Sequence, residues 1–215
     1  MNKTNNTNKM QIRTKTVGLL SVRGITTIAM LSAIALVLML FEIPLWFAPS
    51  FYEIDLSEVP VLIGAFALGP VAGIVIEFIK ILLNLLINGT ATVFVGEFAN
   101  FLIGASLVVP ASIIYNSRKS KNSALIGLIV GTVSMVAVGS LLNGYLLLPV
   151  YSKAFNMPIE ALVGMGTAVN PSINSLSTFI LFAVAPFNLL KGVIVSTITI
   201  VLYKRVSRVI KEFHN

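Results

Sequence analysis

Apolar residues fill six runs along the chain, and most of the polar residues lie between these runs. The runs cover about residues 25–41, 56–68, 71–87, 94–115, 124–150 and 176–203. A helix needs about 20 apolar residues to cross a bilayer, and these runs lack the period-two alternation of barrel strands. The pattern therefore predicts an all-α integral membrane protein, a bundle of six transmembrane helices. The short second run ends at Gly69-Pro70, which indicates a tight turn.

The polar flanks divide the chain into three parts. Residues 1–24 are basic and contain no acid, which predicts a disordered cytoplasmic tail. Residues 25–206 form the predicted six-helix membrane domain, and residues 207–215 form a second cytoplasmic tail. Twelve of the 15 basic residues lie in the two tails, at the end of the sixth run, or between runs four and five. With six spans they all face one side, which the positive-inside rule makes cytoplasmic.

The same distribution explains the net charge of +7. Basic residues at the cytoplasmic ends of spans set the topology and contact anionic lipid, so we expect a multi-pass protein of the cell membrane and no nucleic-acid partner. The opposite face would carry Lys153 together with Glu42, Glu53, Asp55, Glu58 and Glu160.

Composition excludes several other classes of protein. The 215 residues are 56% hydrophobic and only 11% charged, with a mean hydropathy of +0.94, which is far too apolar for a soluble enzyme. The chain has no cysteine, and its one histidine is His214 near the C-terminus. Disulfides, thiol catalysis and histidine metal clusters are therefore excluded. No GxxxxGK[ST] motif occurs, so the chain carries no P-loop.

Four ionisable residues are predicted to lie at bilayer depth, where a charge is costly and is a functional candidate by default. Glu77 and Lys80 are three residues apart and share a helix face, so they either neutralise each other or contact a neighbouring helix. Glu97 precedes Asn100 by three residues at the start of run four. This pair either contacts a ligand or, through Glu97, stabilises the helix dipole. The fourth ionisable residue is Lys191.

Lys191 follows Asn188 by three residues, just after Pro186. The proline should kink this helix and free a carbonyl, and such breaks commonly line a cavity. These groups together predict a polar pocket that opens outward, is walled by runs three to six, and holds a neutral molecule rich in donors and acceptors. Further amides and a phenol either add to this pocket or join helices to one another; they are Asn84, Asn143, Tyr145 and Asn174.

Small residues at four-residue spacing predict close contacts between helices. Gly69-x-x-x-Gly73 and Gly127-x-x-x-Gly131 are interpreted as internal packing motifs. The strip Ala29-x-x-x-Ala33, with Ser32 and Ala35 beside it, is open to two interpretations: internal packing, or a docking face for another membrane protein.

Several motifs in order resemble one family. They are Glu53-Ile-Asp-Leu-Ser-Glu-Val-Pro60, Ile63-Gly-Ala-Phe-Ala-Leu-Gly-Pro70, Val71-Ala-Gly-Ile-Val-Ile-Glu77, Gly96-Glu-Phe-Ala-Asn-Phe-Leu-Ile-Gly104 and Ala185-Pro-Phe-Asn-Leu-Leu-Lys-Gly192. This set resembles the S components of energy-coupling factor (ECF) vitamin transporters, and most of all their riboflavin-specific branch. The resemblance covers about residues 25–206. One departure is Thr92-Val93-Phe94, where the family is often glycine-rich.

The resemblance implies a membrane subunit without catalysis or cofactor. Such a subunit captures riboflavin from outside and delivers it through a separate transmembrane T component driven by two cytosolic ATPases, which fits the missing P-loop. Ala29 and Ala33 match the alanine motif that docks on the T component, and residues 43–57 correspond to a gate over the site.

Riboflavin has a flat apolar ring system, a uracil-like edge and a chain of hydroxyls, which suit an apolar slot with a few placed polar groups. Asn188 and Lys191 would contact the polar edge or the hydroxyls, and Glu97 and Asn100 would contact the rest. Phe51, Tyr52 and Phe187 are candidate neighbours of the ring. The full set of predicted binding residues is Tyr52, Asn84, Glu97, Asn100, Asn143, Tyr145, Asn188 and Lys191.

Alternatives remain at this point. The chain could be an S component for another vitamin, or an ion-coupled secondary transporter that uses Glu77, Lys80, Glu97 and Lys191 as a relay, although the halves show no inverted repeat. An intramembrane enzyme would need serine activated by lysine. Neither Ser172 nor Ser196 lies at a helical spacing that presents it to Lys191, so no enzyme activity is expected.

Overall fold

The computed structural model describes residues 19–45, 49, 52–90, 94–154 and 156–212, with residues 204–212 described as backbone only. Most of the predicted N-terminal tail, the end of the C-terminal tail, Phe51 and Thr92-Val93 lie outside these residues. The described chain is helical apart from its loops and one short antiparallel hairpin, β1 (Ile43–Pro44) with β2 (Glu53–Ile54). The helices are α1 (Val22–Met39), α2 (Glu58–Leu68), α3 (Pro70–Asn88), α4 (Val95–Arg118), α5 (Lys121–Leu142), α6 (Leu148–Ala154), α7 (Ile159–Val169), α8 (Leu176–Phe179) and α9 (Ala185–Glu212).

Two π-helical turns join pairs of these helices into longer rods. Asn143–Leu147 joins α5 to α6, and Ile180–Val184 joins α8 to α9. Five described rods are long and apolar enough to cross a membrane: α1, α3, α4, the α5–α6 rod (Lys121–Ala154) and the α8–α9 rod up to Tyr203. The prediction of an apolar helical membrane bundle is therefore confirmed.

The second predicted span is much shorter than the others. Helix α2 has 11 residues, or about 16 Å at 1.5 Å per residue, which is about half the apolar thickness of a bilayer. It is buried on nearly every side, with Val61, Leu62 and Ala65 fully enclosed, because it packs against α1, α3, α4 and α9. A helix that is apolar all round belongs in the interior of a bundle.

A glycine–proline turn reverses the chain between α2 and α3. Gly69 has φ +102°, a left-handed value that glycine adopts at little cost, and Pro70 occupies the first turn of α3, where its missing N–H is tolerated. A Cβ at Gly73 would lie 2.6 Å from Ala65 Cβ, so α3 packs closely on α2. Of the predicted Gly69/Gly73 packing motif, only Gly73 packs, and Gly69 makes the turn.

The second glycine pair joins α4 to α5 as predicted. A Cβ at Gly127 would lie 2.5 Å from the carbonyl oxygen of Ala111, and a Cβ at Gly131 would overlap the carbonyl of Leu107. The two backbones therefore approach closely, which is the packing that such motifs produce in membranes.

The predicted small-residue strip on α1 is divided between two faces. Ser32 and Ala35 are buried against the bundle, whereas Ala29 and Ala33 are exposed. The interpretation of one continuous strip is wrong, because positions 29 and 33 lie on a different side of the helix from positions 32 and 35.

A further helix occupies part of the segment predicted as a polar connector. Helix α7 begins after Pro158 and buries Leu162, Val163 and Gly166. These positions have the i, i+1, i+4 spacing of one helix face. A Cβ at Gly166 would lie 2.8 Å from the Phe179 ring, so α7 packs tightly against the start of the α8–α9 rod.

Candidate functional site

A cavity of about 500 Å³ opens between the hairpin, the start of α4, the α5–α6 rod, α7 and α9. This volume lies within the usual range for small-molecule sites. Its polar lining residues are Glu42, Tyr52, Glu53, Asp55, Asn100, Asn143, Tyr151, Asn188 and Lys191. Its apolar lining residues include Ala99, Ile103, Met135, Leu147, Met157, Leu162, Met165 and Phe187.

Five of the eight predicted binding residues line this cavity. They come from four separate elements: Tyr52 beside the hairpin, Asn100 on α4, Asn143 in the first π-helical turn, and Asn188 with Lys191 on α9. Phe187, a predicted neighbour of the ring, lines it as well. The fold therefore brings together side chains that are far apart along the chain.

Three predicted residues lie away from the cavity lining. Tyr145 is 84% exposed, because it follows the inward Asn143 by two positions, about 200° around a helix. Asn84 accepts a hydrogen bond from Asn88 Nδ2 at 2.9 Å on exposed α3 surface. Glu97 is half-buried beside the lining residue Asn100 and interacts electrostatically with Tyr151.

Lys191 is held by an acid that sequence reasoning did not assign to the site. Its Nζ lies 2.8 Å from Asp55 Oδ2, and each side chain is 7% exposed. Burial raises the pKa of Asp55, but attraction to Lys191 and Lys80 outweighs burial and keeps that pKa below its usual range. The carboxylate therefore stays ionised, and the cavity contains a charge-balanced pair. Asp55 was interpreted as an outer-loop acid because its partner is distant in sequence.

Tyr52 and Asn143 form a second polar contact at the cavity wall. The Tyr52 hydroxyl donates to Asn143 Oδ1 at 2.6 Å, and Asn143 Nδ2 donates to the Gly139 carbonyl at 2.8 Å. The Tyr52 ring packs against Phe187, with ring centroids 4.9 Å apart. Burial raises the pKa of Tyr52, so the phenol stays neutral. Tyr52 and Phe187 therefore form an aromatic wall of the cavity, and the Asn143 amide is held in one orientation beside it.

Asn188 lies in a space that α5 leaves for it. Its Nδ2 donates to the Val184 carbonyl at 2.9 Å, and Val184 ends the π-helical turn just before Pro186. A Cβ at Gly139 would lie 2.8 Å from this Nδ2. Single π-helical turns are frequent at functional sites. The first described turn contains the lining residue Asn143, and the last residue of the second, Val184, accepts the hydrogen bond from the lining residue Asn188.

The edge of the cavity nearest the hairpin is acidic. The carboxyl of Glu42, after α1, is hydrogen-bonded to that of Glu53 on β2. This hydrogen bond, then burial, and then repulsion from Glu53 and Asp55 raise the pKa of Glu42 to about 7. Among the described lining residues Lys191 is the sole cation, and Asp55 neutralises it. A neutral ligand therefore suits the cavity better than an anion does.

A fully buried ion cluster lies outside the cavity lining. Lys80 Nζ is 2.8 Å from Glu77 Oε1 and 2.9 Å from Glu58 Oε1, with essentially no exposure of any of the three side chains. Both sequence interpretations of Glu77 and Lys80 hold, since they pair with each other and also reach α2. Glu58 was interpreted as an outer-face acid, which is wrong, because it begins α2 inside the bundle.

The polar and apolar lining of the cavity suits an apolar ring with polar edges. Carboxamides, the phenols of Tyr52 and Tyr151, and one neutralised lysine can orient a ligand, and methionines and Phe187 supply apolar contact. Within the described residues, no three His, Cys, Asp or Glu side chains converge as metal ligands would.

Comparison with known proteins points to one family. The family model described as "ECF transporter, substrate-specific component" matches residues 23–203. Over 190 residues the chain is 40% identical to the riboflavin transporter RibU of Staphylococcus aureus (strain TCH60), covering 88% of this chain and 93% of that protein. It is 33% identical to the riboflavin transporter FmnP of Bacillus subtilis (strain 168) over 180 residues, 83% of this chain and 89% of the relative.

The fold has a solved counterpart. The S component of a bacterial ECF transporter superimposes with a TM-score of 0.67 at 38% sequence identity, over 87% of this chain and 96% of that one.

Proposed function

This chain belongs to the substrate-specific components of ECF transporters, and on that premise we propose that it binds riboflavin for uptake across the cell membrane. The observation that carries the proposal is the cavity of about 500 Å³ in which Asn100, Asn143, Asn188 and Lys191 converge from three helical rods. The relatives are themselves riboflavin transporters by name. The chain acts as a binding subunit and not as an enzyme.

We propose direct ligand contacts for the predicted residues that line the cavity. Asn188, Lys191 and Asn143 line the walls formed by α9 and the α5–α6 rod, where they can hydrogen-bond the uracil-like edge or the hydroxyls. Tyr52 and Phe187 form an aromatic surface for the ring system. Glu97 acts indirectly in this proposal, through its interaction with Tyr151, a lining residue.

We propose six membrane segments with both termini in the cytoplasm. Helix α2 runs from the cavity level to the cytoplasmic end, since Phe66 packs 4.5 Å from the Tyr115 ring near the end of α4. Asn116 donates to the Ala65 carbonyl at the same level. The basic junction between α4 and α5 and the basic end of α9 then face the cytoplasm, as the positive-inside rule requires. Helix α2 is short because the hairpin segment before it descends into the bundle.

We propose that the T component docks on the exposed face of α1 that carries Ala29 and Ala33. Small side chains there let a partner helix approach closely, and two cytosolic ATPases drive the assembly. Ala29→Trp should leave riboflavin binding unchanged and abolish uptake in cells. Ala137→Trp, at an exposed alanine on α5, is the matched control. Retained uptake in the Ala29→Trp variant would contradict this docking face.

The direct test of function is the absorption spectrum of detergent-purified protein from a riboflavin-producing host. Co-purified flavin near one equivalent per chain, and quenching of added riboflavin fluorescence by ligand-free protein, are expected. A colourless protein that fails to quench riboflavin would contradict the vitamin assignment and favour another vitamin. Uptake that requires an ion gradient but no ATPase would instead favour a secondary transporter.

A further inference from the structure

The ion cluster on α2 and α3 costs free energy because its ionisable side chains are buried, and contact with a ligand in the cavity does not explain that cost. Lys80, Glu58 and Glu77 are fully buried and lie outside the cavity lining. Ionisable side chains inside a membrane are costly and mark function by default. Two carboxyls share one ammonium here, which is more than charge balance alone requires.

A chain of polar contacts leads from this cluster to the cavity. Lys80 Nζ donates to Ser57 Oγ at 3.1 Å, and the Ser57 backbone N–H donates to Asp55 Oδ1 at 2.8 Å. The other oxygen of the same carboxylate, Oδ2, accepts from Lys191 Nζ at 2.8 Å. Asp55 therefore uses one oxygen to fix its own loop and the other to hold the lysine at the cavity.

The two carboxyls of the cluster have different connections. Glu77 is on α3, one turn from Lys80, so this contact lies within a single helix. Glu58 directly follows Ser57 at the start of α2, so its contact ties the hairpin–α2 junction to α3. A Cβ at Gly104 on α4 would lie 2.8 Å from Glu77 Cδ and 3.0 Å from Glu58 Oε1. Helix α4 thus leaves room for both carboxyls.

We infer that Lys80 is a positioning residue for ligand binding: through Glu58 and Ser57 it holds the segment 55–58 so that Asp55 keeps Lys191 oriented at the cavity. The inference rests on the proposed function, because it concerns the same site. Lys80 contacts no ligand, and its effect reaches the cavity through Asp55. Glu77 holds Lys80 from within α3 and meets the segment only at the Glu58 carboxyl.

The test compares Glu58→Leu with Glu77→Leu. Each variant removes one buried carboxyl from the same lysine and leaves one carboxyl with one ammonium, so the two have the same remaining charge. Riboflavin affinity, measured by fluorescence quenching, should fall at least tenfold for Glu58→Leu and less than threefold for Glu77→Leu. Glu58→Gln keeps an oxygen acceptor for Lys80 and should recover part of the loss.

A second measurement separates positioning from general destabilisation. In an Asp55→Asn variant the contact between residue 55 and Lys191 is already weakened. Adding Glu58→Leu to this variant should therefore reduce riboflavin affinity by less than a further threefold. A purely structural effect would add in full, as independent changes do, and a full further loss would overturn the inference.

The inference that Lys80 is a positioning residue would also be overturned by equal losses of riboflavin affinity in Glu58→Leu and Glu77→Leu, or by no loss in either. If Glu58→Leu does not fold, Ser57→Ala replaces it, because it removes the hydroxyl that contacts Lys80 and Asp55 and leaves both carboxyls of the cluster in place. Affinity at least threefold weaker supports the inference, and unchanged affinity contradicts it. Failure of the unmodified protein to bind riboflavin would instead contradict the proposed function.

Discussion

Two lysines lie at membrane depth in this bundle, and their surroundings differ. Lys191 faces a cavity and pairs with a single acid, and both side chains keep 7% exposure. Lys80 is sealed between α2, α3 and α4 with two acids and has no exposure. Both lysines are conspicuous in the sequence for the same reason. Under the proposed function, only the lysine whose environment opens to a cavity contacts the ligand.

The largest expected effect is on stability, at the sealed lysine. Lys80→Met leaves Glu58 and Glu77 buried without a cation, and breaking a buried ion pair in this way removes about 3–5 kcal/mol. The free energy of unfolding, measured by denaturant titration of ligand-free protein in detergent, should fall by that amount. Glu77→Gln keeps the Lys80–Glu58 pair and should cost much less. A Lys80→Met variant as stable as the parent would abolish the distinction between the two lysines.

The second prediction concerns affinity, at the cavity lysine. Lys191→Met should weaken riboflavin binding by about 1–3 kcal/mol, the cost of leaving a buried polar group without its hydrogen bond. Asn188→Ala should weaken it within the same range. Isothermal titration calorimetry gives both numbers. Unchanged affinity in both variants would remove α9 from the proposed site.

The third prediction tests the space behind Asn188. Gly139→Ala places a Cβ within 2.8–3.0 Å of the Asn188 amide, so the amide must move, and overpacking costs about 1–3 kcal/mol. We expect riboflavin affinity to fall by about 1 kcal/mol. Gly164→Ala on α7 is the control, because its Cβ would meet open space and should leave affinity unchanged. Equal affinity in the two variants would show that the position of Asn188 does not matter.

The smallest expected effect concerns the acidic edge of the cavity. The pKa of Glu42 is raised to about 7, so this carboxyl is neutral below that pH and charged above it. Riboflavin 5′-phosphate should therefore gain affinity relative to riboflavin as pH falls through 7. The gain should stay below about 1 kcal/mol, because exposed charges are screened.

Comparison of Glu42→Gln with the unmodified protein isolates the contribution of Glu42 to this pH dependence. The phosphate of the ligand titrates identically in the two measurements. The variant should show a smaller preference for riboflavin at about pH 8 and a flatter pH profile. Parallel profiles for the two proteins would exclude Glu42 as the titrating group.

Local patterns predicted much of this fold and part of the site. Continuous apolar runs predict the long helices because membrane helices must satisfy their backbone groups internally. Gly127 and Gly131 predict a close contact because small residues allow one. Asn188 and Lys191 stand out because polar side chains at membrane depth are rare. Each of these signals lies within one segment.

The missed features depend on contacts between distant segments. Asp55 looks like an ordinary loop acid until α9 brings Lys191 within 2.8 Å. Glu58 lies at the start of the second apolar run, and nothing nearby shows that the loop before it descends into the bundle. The prediction that Tyr145 lines the pocket is wrong, because it follows Asn143 by two residues within a π-helical turn and so lies on the far side of the helix. Spacing along one segment carries no information about which segments meet.

The shortness of α2 also sets the distance that a ligand has left to travel. On the proposed topology, the cavity lies where α2 begins, and α2 extends about 16 Å from there to the cytoplasmic end. The hydrocarbon core is about 30 Å thick, so a molecule in the cavity has already crossed about half of it. On the proposed function, the partner subunits would therefore have to move the ligand through only the remaining half of the membrane.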